Sequence, residues 1–194
     1  MIPALLLAAA AVPPVEQAER AFASTAQIKG QWTAFREFAA PDAQMLLDGP
    51  QPAAPFLKDR ADPPVAVMWW PAHTVTSCDG KLAFSTGPWR RKGGQTTGRY
   101  FTIWRYGEDG WRWIYDGGAE DHSPTLAGDK PSAVRAYCQR GASPPAAPAD
   151  QAIGGISKDG SLRWSLQPQD KEHYRLTVTY RSSRGWKSET AVVG

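Results

Sequence analysis

Apolar residues recur three or four positions apart from Val15 to about Ala40, at Val15, Ala18, Phe22, Ile28, Trp32, Phe35 and Ala39 with one turn skipped. That spacing predicts one long helix with a single buried stripe. Pro13 and Pro14 stand at its start, where proline is tolerated, and Pro41 ends it. Gly30 lies inside at a cost of about 1 kcal/mol relative to alanine, which suits a close approach to a neighbouring strand. "PDAQMLL" predicts a second, shorter helical turn. "DGPQPAAPFLKDRADPP" predicts a loop with one helical turn near Phe56 and Leu57.

Beyond Pro64 the period changes to that of strands. "VAVMWWP" reads as a strand buried on both faces, and "HTVTSC" continues it past Pro71 or forms a second strand. Asp79-Gly80 is a hairpin turn signal, after which "KLAFSTG" returns with Leu82, Phe84 and Thr86 on one face. "GRYFTIWRY", the turn "GEDG" and "WRWIYD" make the clearest hairpin of the chain. "RRKGG" between these runs reads as a solvated hairpin tip. Helices followed by strands predict an α+β fold, with a curved antiparallel sheet wrapped on the long N-terminal helix. Such a sheet is a cone-shaped barrel, and a cone encloses a cavity.

The chain divides into four stretches: residues 1–14, the α+β domain over 15–140, a Pro/Ala-rich spacer over 141–152, and a β extension over 153–194. Along the extension, Leu162, Trp164 and Leu166 oppose Arg163, Ser165 and Gln167, and Tyr174, Leu176, Val178 and Tyr180 oppose their polar neighbours. Each strand has one apolar face. Three such strands are marginal alone, so that face is expected to dock on the main domain or on a partner chain. Ser77-x-Asp79-Gly80-x-Leu82 recurs as Ser157-x-Asp159-Gly160-x-Leu162, an echo that either common hairpin chemistry or a duplication explains.

The first residues change where the protein is expected to work. The apolar run Ile2 to Val12 has the length of an export signal core, ends in small residues at Ala8 to Ala11, and is too short to span a bilayer. A cleaved signal over 1–14 implies a periplasmic or secreted protein with no membrane segment after cleavage. In an oxidising compartment Cys78 and Cys138 form an even pair, which predicts one disulfide; two buried free thiols or a catalytic cysteine are the other readings. No Cys or His pair stands at ligand spacing, so no metal is expected, and no motif asks for a cofactor. A net charge of +3, spread along the chain, excludes a nucleic-acid face. Nine tryptophans are many for 194 residues, and they suffice for a large core or a lined cavity.

"AERAFASTAQIKGQWTAFREFAAPDA", "WWPAHTVTSCDGKLAFSTGPW" and "GRYFTIWRYGEDGWRWIYDGG" together resemble exported bacterial proteins of the nuclear transport factor 2-like superfamily, near its polyketide-cyclase-like (SnoaL-like) and ketosteroid-isomerase-like branches. The resemblance covers residues 15 to 118. It implies a cone with an open mouth and, often, a homodimer across the sheet, but no activity. Ketosteroid-isomerase-like chemistry needs a carboxylate base and a Tyr or protonated acid as oxyanion donor in a greasy cup; epoxide hydrolases of the superfamily use two carboxylates and an Arg around a water. Asp116, Tyr115, Tyr100, Arg99, Arg105 and His73 are the candidates.

Strand parity puts Trp111, Trp113 and Tyr115 on one face and Arg112, Ile114 and Asp116 on the other. Asp116 and Tyr115 therefore cannot both enter the cup unless the strand bulges, and Asp116 before "GGAED" reads as a turn cap. Trp32, Trp69, Tyr100, Trp104, Tyr115, Asp116 and His73 are the expected cup residues. The leading expectation is an exported protein that binds a small apolar or aromatic molecule in its cup. The alternatives are an acid/base enzyme (isomerase, cyclase or hydrolase-like) acting on such a molecule, and a non-catalytic dimerising assembly module.

Overall fold

The computed structural model describes residues 11–121, 130–139 and 144–194. Helix α1 spans Val15–Lys29 and α2 spans Gln31–Phe38, so the one long helix of the periodicity is two. The break is Gly30, whose φ of 111° disfavours any residue with a side chain. Asp62 fills the space a Gly30 Cβ would need, and its carboxylate accepts the amides of Trp32 and Thr33 and the Thr33 hydroxyl. This loop side chain thus caps α2, whose own N-cap glycine has nothing to offer. Because the chain turns here, Ile28 falls off the stripe and is exposed, and α1 buries Val15, Glu19, Phe22 and Ala26 instead.

"PDAQMLL" is not helical. It lies in strand β1 (Ala39–Leu46), which runs parallel to β7 (Gly110–Glu120) and antiparallel to the short β2 (Pro50–Pro52). Pairing with β7 overrides the weak helical preference of so short a segment. Helix α3 (Ala53–Leu57) forms at the predicted turn. "VAVMWWP" yields only β3 (Met68–Trp69), with Val65 and Met68 exposed, since Pro63, Pro64 and Pro71 deny the run a continuous ladder. β4 (His73–Thr76), β5 (Leu82–Arg91), β6 (Thr96–Gly107) and β7 follow as hairpins, and β8 (Ser132–Arg135) pairs parallel with β4. The main sheet has the order β2-β1-β7-β6-β5-β4-β8, with β3 on β5. It curves around α1, α2 and α3 as an α+β cone.

The β6–β7 ladder contains one irregularity. Ile103 pairs with Tyr115 and the next residue, Trp104, pairs with Trp113, so Ile114 is an extra residue on β7. A bulge of this kind exchanges the faces of everything beyond it. Trp111 and Trp113 pack toward the helices, whereas Tyr115 packs on the convex face. Asp116 is thereby turned into the cone opposite Thr102, whose hydroxyl donates to it at 2.8 Å. Asp116 is no turn cap, because β7 runs on to Glu120.

The C-terminal extension is a second sheet of four strands, not three: β9 (Ile153–Ile156), β10 (Leu162–Pro168), β11 (Tyr174–Ser182) and β12 (Gly185–Val193), in the order β12-β11-β10-β9. The short Ile-Gly-Gly-Ile strand β9 has too little alternation to announce itself. The apolar face of this sheet docks on its own chain, with Leu162, Leu166, Leu176 and Val178 against Phe84, Phe101, Ile103 and Tyr115. The convex face, through which the resemblance implies a dimer, is therefore covered.

The sequence echo becomes a repeated turn. Gly80 and Gly160 have φ of 73° and 72°, and the Ser77 and Ser157 hydroxyls each accept the amide five residues on at 3.0 Å. The two turns also touch, through Cys78 N–H to Ser161 Oγ at 2.8 Å and Asp79 N–H to Asp159 Oδ2 at 2.7 Å. Cys78 and Cys138 are joined as a disulfide beside them.

Residues 1–10 of the expected signal and 141–143 of the spacer lie outside the described residues. Val12 packs on the core, and the Pro13 carbonyl accepts the Trp111 indole N–H at 2.8 Å. Among the described residues no helix is long and apolar enough to cross a membrane.

Since the two sheets share one core, Leu166→Ala is expected to cost about 2–5 kcal/mol in a single cooperative transition, followed by tryptophan fluorescence and far-UV circular dichroism in urea. Two separate transitions would show that the sheets fold independently.

Candidate functional site

A cavity of about 310 Å³ lies between the helices and the concave face of the main sheet. Its wall is mainly apolar, with the aromatic rings of Phe22, Trp32, Phe35, Trp69, Trp89 and Tyr100 contributing. Edge-to-face contacts fix these rings: Phe22 sits 4.8 Å from Phe35 and 4.9 Å from Trp69, and Trp32 sits 5.4 Å from Phe35. The chain closes in tightly around the wall. A Cβ at Gly98 would overlap the Trp89 ring, and one at Gly118 would meet the Arg99 carbonyl. Arg91 and Glu120, both exposed, stand at the rim.

Polar groups in the cavity are few. Asp116 is half-buried, and what surface it keeps opens onto the cavity. Burial pushes its carboxyl up to about 8; the Thr102 hydroxyl pulls it down and the nearby charge of Glu19 pushes it further up. At neutral pH the group is therefore mainly a neutral acid, able to donate a hydrogen bond. Tyr100 lines the cavity with its hydroxyl 3.1 Å from Ser85 Oγ. Burial and the charge of Glu19 raise its pKa, so it too stays protonated. Gln31 also lines the cavity, but its carbonyl is occupied by the Val67 amide at 3.0 Å.

Behind this wall lies Glu19, fully buried on α1. Its two carboxyl oxygens accept the indole N–H groups of Trp69 at 2.8 Å and Trp104 at 2.9 Å, and Ser85 supplies a further hydrogen bond. Burial raises Glu19 to about 7, against the pull of these three donors. The helical periodicity held the signal for this residue: position 19 lies four after Val15 and three before Phe22, on the apolar stripe, where a carboxylate needs a reason to be.

Of the expected cup residues, Trp32, Trp69, Tyr100 and Asp116 line the cavity together. Trp104 lies beneath it as a donor to Glu19. Tyr115 is on the opposite face because of the bulge; its ring packs 5.4 Å from Trp164, and its hydroxyl finds no partner among the described residues. His73 also points away, to Glu189 of β12 at 3.1 Å, and this carboxylate raises its pKa. Arg105 forms a salt bridge with Asp42 on the surface, and Arg99 borders a small gap between the two sheets. Trp70 is half-buried with the Arg90 guanidinium 5.7 Å from its ring centre. No cluster of three or more metal-ligating side chains occurs among the described residues.

Glu19 and Asp116 make stability depend on pH in a definite direction. A carboxyl raised in the folded state binds more protons there than in the unfolded chain, so stability falls as pH rises from the unfolded value toward the folded one. Glu19 acts this way up to about pH 7, and Asp116 from about pH 4 up to about pH 8. Asp116→Asn, which keeps an acceptor for Thr102, is expected to raise the Tm at pH 8 by about 3 °C or more and to change it far less at pH 4, where the unfolded chain's aspartates also hold much of their proton. Calorimetry at the two pH values checks this, and an equal effect at both would show that Asp116 is not protonated by its site.

No family model matches the chain, and no curated protein matches it. Solved structures that match include a candidate aromatic ring hydroxylase from Novosphingobium aromaticivorans, at 17% identity over 59% of this chain and 95% of that one, with a TM-score of 0.40. Another is a candidate calcium/calmodulin-dependent kinase II association domain from Exiguobacterium sibiricum, at 14% identity over 60% of this chain and 100% of that one, with a TM-score of 0.39. At these scores neither likeness bears on the chemistry of the cup.

Proposed function

We propose that this is an exported cone-fold protein of the nuclear transport factor 2-like type that binds a small apolar or aromatic molecule in its cup. The observation that carries the reading is the 310 Å³ aromatic cavity with one neutral acid, Asp116, at its wall. Apolar enclosure with few convergent polar groups is the usual make-up of a small-molecule site. The rings supply contact area, while the Asp116 acid and the Tyr100 hydroxyl select a ligand oxygen. The disulfide between Cys78 and Cys138 supports an oxidising compartment, periplasmic or extracellular.

Acid/base catalysis on such a molecule is the second reading, favoured by two carboxyls whose pKa values are raised into the neutral range. It ranks second because neither titratable group of the cup hydrogen-bonds another directly; Tyr100 reaches Glu19 only through Ser85. An assembly module fits less well, since its cone would be filled and its convex face bare.

Isothermal titration with naphthalene and 2-acetylnaphthalene tests the binding reading. Both are expected to bind, the ketone about 3–10-fold more tightly because Asp116 donates to its carbonyl. In Asp116→Ala that preference disappears while naphthalene still binds. Absence of heat and of tryptophan quenching with both compounds would overturn the reading.

A further inference from the structure

Glu19 has no task in the ligand reading, yet its surroundings are built for one. It touches no cavity surface, but two of its hydrogen-bond partners belong to the wall or are bonded to it. Trp69 is itself wall, and Ser85 stands 3.1 Å from the hydroxyl of Tyr100, also wall. A hydrogen-bonded path therefore runs from the cavity-lining residue Tyr100 through Ser85 to a buried carboxyl. Three donors favour its charge and burial opposes it.

The titratable groups acting around this path are Tyr100 from β6, Asp116 from β7 and Arg20 from α1 itself. The other elements packed on this side of α1 present Phe35 and Phe38 from α2, Trp69 from β3, Thr74 from β4 and Ser85 from β5. None of those side chains ionises between about pH 5 and 9.

We propose that Glu19 is a positioning residue that sets the charge of the cup, so that an aromatic anion is admitted only together with one proton, taken up by Glu19 through Ser85 and Tyr100. The physical reason is repulsion. A ligand carboxylate beside an ionised Glu19 would place two negative charges in a medium that screens them poorly. Protonating Glu19 leaves one charge, that of the ligand. The proton comes from solvent, and no covalent bond changes. The negative charge of Glu19 otherwise adds to burial in keeping Asp116 protonated, so this buried residue also bears on what the wall offers. This rests on the ligand reading above. It adds a ligand class, aromatic weak acids, and a sign: their affinity falls about tenfold per pH unit above the Glu19 midpoint, as a one-proton linkage requires.

Indole ¹H–¹⁵N NMR on the unmodified protein tests it, with 2-naphthoate as the anionic probe and 2-acetylnaphthalene as the neutral one. Without ligand, the Trp69 and Trp104 signals are expected to titrate together near pH 7. Those of Trp111 and Trp113, which donate to the Pro13 and Phe35 carbonyls, are expected to stay still. Binding, read from the cavity-lining Trp32 and Trp89 signals, is expected with both probes. Bound 2-naphthoate raises the shared midpoint by about one unit or more; bound 2-acetylnaphthalene leaves it in place. If Trp69 and Trp104 do not titrate, or the midpoint ignores bound 2-naphthoate, Glu19 is not coupled to the cup and only this inference fails. If neither probe moves Trp32 or Trp89, the ligand reading fails and takes this inference with it.

Discussion

The structure turns on one extra residue. With Ile114 unpaired, β7 presents Trp111 and Trp113 to the helices and then changes face, sending Tyr115 outward and Asp116 inward. Without that shift an acid would sit in the convex core and a tyrosine ring would occupy the cavity. The first is costly, since an unpaired buried carboxyl is penalised, and the second would fill the cavity with a ring. Both cores depend on the bulge. The inner one needs Trp113 under Phe35, where the ring centres are 5.9 Å apart, and the outer one needs Tyr115 against Trp164.

The outer core explains why the C-terminal sheet exists. A strongly curved sheet has a convex face as apolar as its concave one, here carrying Phe84, Phe101 and Ile103. Water cannot cover that face cheaply. A second sheet from the same chain does so, docking through a turn of the same design as the one it touches and with the disulfide alongside. The inner face is thereby freed for the site. Its acids cost stability near neutral pH, as the proposed binding role would require.

Much of this was legible in the residues. The α+β order, the β6–β7 hairpin, the glycine turns and the apolar stripe of the C-terminal strands follow from local periodicity and turn chemistry. So does the pairing of the two cysteines, once an oxidising compartment is assumed. What was not legible depends on distant partners. β1 reads as a helical turn because its strand character comes from pairing with β7. The helix break needed Asp62, thirty residues on from Trp32, to show why Gly30 is a boundary. Strand parity assigned Asp116 and Tyr115 to opposite faces, but a bulge has no fixed local signature, so which of them faces inward stayed open. His73 reads as a cup residue because its partner, Glu189, lies on a sheet whose docking site the sequence leaves undecided.

Carboxyl-carbon NMR of selectively labelled aspartate, followed from pH 3 to 10, tests the central claim most directly. If the bulge turns Asp116 into a dry aromatic cup, its carbon titrates near pH 8, far from the surface aspartates. A midpoint near the ordinary value of about 4 would place Asp116 in water and contradict the cup as described.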